Sequence, residues 1–64
     1  MRSNLKEVRI KANMTQNEVA KILNIGLRHY QRIESGETIG KVETWDMLED
    51  IFHVSQRKLR ENTP

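Results

Sequence analysis

The chain has 64 residues, too few for two hydrophobic cores, because a domain of this size buries only about 60% of the surface that its unfolded chain exposes. It contains no cysteine, so neither a disulfide nor a thiolate zinc site can staple it, and an apolar content of 36% supplies the core alone. The net charge is +2, but residues 1–33 carry +5, residues 34–54 carry −5 and residues 55–64 carry +2, which presents a basic half to any polyanion. The first residues hold charge and no apolar run of signal-peptide length, and nothing elsewhere is long enough to span a membrane. The expectation is one cytoplasmic domain, residues 1–64, with no membrane contact and a partly frayed tail over 59–64.

Proline occurs only at position 64, glycine only at 26, 36 and 40, and no alternating pattern survives five residues, so the predicted fold class is all-α. Leu5, Val8, Arg9 and Ala12 recur at helical spacing and predict a first helix from about Ser3 to Ala12, with Asn13 free to turn left-handed. Thr15-Gln16-Asn17-Glu18 has the spacing of a capping box and opens a second helix, whose inner face holds Val19, Ala20 and Leu23. Asn24-Ile25-Gly26 then forms a three-residue turn, with Gly26 as the cap of the next helix.

The third helix is predicted from Leu27 to about Ser35, ended by Gly36. On a helical wheel Tyr30, Ile33 and Glu34 share one face, whereas Arg28, Gln31, Arg32 and Ser35 share the other, with Leu27 at the border. Beyond a loop over 37–41, a fourth helix places Val42, Trp45, Leu48 and Phe52 inward. Ser55 is expected to cap a short fifth helix that carries Leu59.

Helix, three-residue turn and helix, with a small residue in the first and polar side chains outward on the second, is a geometry that seats one helix in the DNA major groove. The spaced set Thr15-Gln16-x-Glu18-Val19-Ala20-x-x-Leu23, Ile25, Ile33-Glu34-x-Gly36, Leu48, Phe52, Val54-Ser55 and Leu59 resembles the phage-repressor and Cro type of helix-turn-helix domain. The resemblance covers Asn4 to Leu59. It implies a five-helix lambda-repressor-like domain in which the second and third helices form the DNA-binding unit.

On that footing the expected base readers are Arg28 and Arg32, each able to grip guanine O6 and N7, Gln31 for adenine, and Leu27 against a thymine methyl. The expected phosphate contacts are Thr15, Gln16 and Asn17 at the second helix's positive end, His29 and Ser35 on the third helix, and Lys41 after the loop. The resemblance also implies that Arg9 and Glu34, charged residues on inner faces, pair with one another. Where the family usually has proline and a small capping residue, this chain has Thr38-Ile39-Gly40-Lys41, which predicts a looser approach to the fourth helix. Glu49 stands where alanine is common.

A domain this small covers too little DNA for high specificity, so a homodimer on a two-fold operator is expected, with Met47 and Ile51 as the candidate contact. An antitoxin or restriction-controller role would use the same DNA chemistry. A protein-interaction module on the same scaffold is the alternative of another class, favoured modestly by the acidic 34–54 segment, and a regulatory protein partner fits either reading. Glu49 and His53 stand one turn apart, but no third ligand closes a metal site, and a surface ion pair is the expected outcome. No catalytic set or phosphate loop is present in the sequence, and neither enzymatic activity nor a cofactor is expected.

Overall fold

The computed structural model describes residues 1–62, and within them five helices follow one another: α1 (Ser3–Lys11), α2 (Gln16–Leu23), α3 (Leu27–Ser35), α4 (Val42–Phe52) and α5 (Gln56–Leu59). No strand occurs among these residues, and the predicted all-α class holds.

The short-range signals in the sequence build the corners. At α2 the capping box forms as predicted: the Glu18 N–H donates to the Thr15 hydroxyl at 3.1 Å, and the Thr15 N–H donates to the Glu18 carboxylate at 2.8 Å. Those bonds to Thr15 hold the Glu18 carboxyl below its ordinary pKa. Asn13 and Asn24 both take left-handed backbone with φ of 58°, closing α1 and α2, and Gly36 at φ 91° closes α3. A side chain at Gly36 would be strained by that backbone alone.

α2 packs against α3 and α4, and α1 packs against α3 and α5, so α3 is held on its inner side by both of its predecessors. The core is Leu5, Val19, Ala20, Leu23, Tyr30, Ile33, Trp45, Leu48 and Leu59. Leu59 is fully buried; residues 63 and 64 of the tail expected over 59–64 lie outside the described residues.

Two other predicted inner positions turn outward. Val42 is exposed and Thr44 is buried, because the inward arc of α4 centres on Leu48, and Val42 falls about 60° beyond Trp45 at 100° per residue. Ala12 lies past the end of α1 and is exposed, where it lines a shallow apolar groove with Val8, Ile51, Phe52 and Val54.

Three side chains tie helices together over long sequence distances. Arg2, one of the cations of the basic half, is buried. Its guanidinium donates to the carbonyls of Ile33, of Thr38 at 2.7 Å and of Arg60 at 3.2 Å, and it stacks over Trp45 at 5.2 Å. Burial and the nearby Arg60 charge lower its pKa from the ordinary arginine value. The Trp45 indole donates to the Ile39 carbonyl at 2.7 Å, so the 37–41 loop, whose approach to α4 was predicted to be loose, is anchored at two carbonyls while the Ile39 side chain is exposed.

Glu49 supplies the third tie. Ser55 occupies the cap position of α5 but makes no side-chain cap; instead the Gln56 N–H donates to the Glu49 carboxylate at 2.9 Å. Glu49 thus caps α5 from α4. No ion pair joins it to His53 among the described residues, in place of the surface pair expected from their spacing.

Candidate nucleic-acid interface

Glu34 is the buried acid on which the interface is built. The Arg9 guanidinium meets its carboxylate with two bonds, Nε to Oε2 at 2.9 Å and Nη2 to Oε1 at 3.1 Å, and Arg9 also donates to the Met14 carbonyl at 2.9 Å. This is the pair that the resemblance implied. The fork geometry satisfies both charges, which a buried pair needs if desolvation is not to outweigh attraction. The bonds to Glu34 raise the Arg9 pKa above the ordinary arginine value. The Tyr30 hydroxyl lies buried beside this pair outside hydrogen-bond geometry, and burial first, then the Glu34 charge, push its pKa well up. It stays protonated.

From Glu34 the polar contacts run outward. The Gln16 side-chain amide donates to Glu34 Oε1 at 3.3 Å, and the Gln31 amide donates to Gln16 Oε1 at 3.2 Å. Gln16 is half-buried and Gln31 is exposed, so the chain of contacts ends on the surface of α3. Sequence reasoning named all four residues but saw only the first pair; a link between positions 16 and 31 leaves no periodic signature.

The outward face of α3 presents Arg28, Gln31, Arg32 and Ser35 in one open surface depression, shared with Glu37. Arg28 is exposed and pairs with no acid among the described residues. Arg32 faces Glu37 at 3.8 Å with both side chains more than half exposed, a contact contributing little, at most about 1 kcal/mol, and one a competing anion can displace. Leu27 sits at the start of this face and is exposed, and His29 is exposed on its flank. The Ser35 hydroxyl donates back to the Arg32 carbonyl at 3.1 Å.

Beside this face lies the N-terminus of α2. Its capping box occupies the N–H groups of Thr15 and Glu18, which leaves those of Gln16 and Asn17 without a hydrogen-bond partner among the described residues, at the positive end of the helix. Lys41 is the exposed cap residue of α4. Met47 is exposed on α4, whereas Ile51, one turn on, is half-buried against the core.

A basic, donor-rich helix is thus mounted on a second helix through a three-residue turn. A family model described as helix-turn-helix, of the lambda-repressor-like kind, matches residues 5–59. The chain belongs to this helix-turn-helix family. Its helix-turn-helix is the α2–α3 pair, and the family is one of DNA-binding regulators. Comparison with curated proteins and with solved structures finds no match.

Within the helix-turn-helix frame the division of labour among charges becomes plain. Arg2 and Arg9, two of the cations in the basic half, are spent inside the fold, and Arg28 and Arg32 are the cations of the α3 face. No group of three or more His, Asp or Glu side chains is placed to hold a metal among the described residues. No helix there is long and apolar enough to cross a membrane.

Proposed function

We propose that this helix-turn-helix protein binds double-stranded DNA sequence-specifically as a small transcriptional regulator of the repressor or Cro type, with α3 in the major groove. The observation that carries this reading is the outward face of α3: an exposed Arg28 that pairs with no acid among the described residues, with Arg32 and Gln31 one turn on, beside the N-terminus of α2. Arg28 and Arg32 read guanine, Gln31 reads adenine and Leu27 meets a thymine methyl. Thr15, Gln16, Asn17, His29, Ser35 and Lys41 contact phosphates and set the register of the helix in the groove.

The domain measures 26 × 22 × 20 Å, less than the roughly 34 Å of one DNA turn, so one copy covers a half-site. A homodimer on a two-fold operator is the corresponding assembly, with the exposed Met47 and the neighbouring Ile51 as its contact.

The reading is tested by the salt dependence of binding to a random-sequence duplex. Each phosphate neutralised steepens the plot of log affinity against log salt by about 0.9, so the phosphate contacts proposed here give a steeply negative slope. Binding that is absent, or indifferent to salt, contradicts the reading and favours a protein partner for the exposed faces.

A further inference from the structure

We infer that Glu37 is a positioning residue for sequence reading: it steers Arg32 toward the neutral edge of a guanine and away from backbone phosphates. The inference deepens the DNA-binding reading and rests on it. Glu37 is the acid among the residues that line the depression with Arg28, Gln31, Arg32 and Ser35, and its carboxylate lies 3.8 Å from Arg32 Nε. Helix stability does not call for an acid there. Glu37 follows the C-terminus of α3, the negative end of the helix, where a carboxylate is the disfavoured charge, and its exposed pair with Arg32 contributes little.

The backbone nevertheless pins Glu37 to this face. Its N–H donates to the Arg32 carbonyl at 2.9 Å and the Gly36 N–H donates to that of Ile33 at 3.2 Å, the two bonds of a Schellman turn around the left-handed Gly36. The residues on either side are held as well, the Gly36 carbonyl by the Asn62 amide at 3.3 Å and the Thr38 carbonyl by the buried Arg2 at 2.7 Å. A phosphate that takes Arg32 therefore displaces the Glu37 carboxylate without sending it away, and two anions are left to share one cation. Guanine brings no net charge. Its O6 and N7 take one edge of the guanidinium fork while the carboxylate keeps the Nε edge, so Glu37 disfavours phosphate and tolerates the base.

Affinities for two duplexes decide this: the motif that the wild type selects from a random library, and a random-sequence duplex, each measured across a salt series. The proteins are the wild type, Glu37→Gln, Arg32→Ala and the double variant, all altered only at exposed positions, which spares the fold. For Glu37→Gln the expected result is random-duplex binding tightened about fivefold, with a salt slope steeper by about 0.9 as Arg32 takes up one more phosphate. Binding to the motif changes little, so the motif-to-random ratio falls by a similar factor. In the Arg32→Ala background the same substitution should leave that ratio and that slope unchanged. A Glu37→Gln protein that changes both affinities equally or not at all, or that gains as much without Arg32, overturns the inference and leaves the DNA-binding reading standing. A wild type that selects no motif overturns both.

Discussion

Replacing Glu34 with alanine is expected to cost about 3 kcal/mol of folding stability or more, the loss typical of removing one partner from a buried ion pair. The magnitude reflects the charge left behind. Arg9 keeps its bond to the Met14 carbonyl but loses both bonds to the carboxylate, and its charge remains at a largely buried site without compensation. A domain of this length has a total stability on the order of 3–10 kcal/mol, so the variant sits near its unfolding threshold. Denaturant titration against the wild type checks the figure. The double variant Arg9→Met, Glu34→Leu removes both charges together and should recover much of the loss, because apolar replacement of a whole buried pair is often neutral. A Glu34→Ala protein as stable as the wild type would show that the pair does not link α1 to α3.

Arg2→Ala is the second large effect, again expected at about 3 kcal/mol, for a different reason. Arg2 is a buried cation held by backbone carbonyls from three parts of the chain, and its removal takes a charged donor from those of Ile33, Thr38 and Arg60, of which the Ile33 carbonyl keeps the Gly36 N–H. Hydrogen bonds to a charged group contribute roughly 1.5–3 kcal/mol each, and three that share one donor group do not add. Arg2→Lys should recover only a minor part, since a single ammonium cannot reproduce the planar spread of a guanidinium or its stacking on Trp45. Thermal unfolding of the three proteins decides this, and equal stability of Arg2→Lys and wild type would refute the account of Arg2.

These two residues mark the limit of what was legible in the sequence. Features written in adjacent residues were read from it directly: the Thr15–Glu18 capping box, the left-handed Asn13, the turn at Asn24, the Gly36 stop, and the split of α3 into a Tyr30–Ile33–Glu34 side and an Arg28–Gln31–Arg32 side. Each depends on local geometry, where spacing is the physics. Arg2 gave no such signal, because one arginine ahead of a helix looks like any solvated charge until Trp45 and three carbonyls surround it. Glu49 capping α5 and the link from Gln16 to Gln31 escaped for the same reason, as both join side chains whose proximity only the packed fold creates. Val42 was placed inward because apolar spacing does not show where the buried arc of α4 begins.

The interface divides along the same line. The two-sided character of α3 was visible in its polarity, and the Arg9–Glu34 pair was implied by the family resemblance. What the structure adds is that these are one connected object: the pair that orients α3 against α1 is also the root of the contacts that reach Gln31.

The central claim, that the outward face of α3 reads DNA sequence, is tested most directly by selecting bound duplexes from a random library with the wild type and with Arg28→Ala in parallel. The account predicts a two-fold-symmetric motif for the wild type and, for Arg28→Ala, the same motif with a guanine preference relaxed at one position of each half-site. A bidentate arginine contact discriminates by about 1–3 kcal/mol, so the relaxation should be roughly tenfold in base frequency. No enriched motif, or an identical motif from Arg28→Ala, would contradict it.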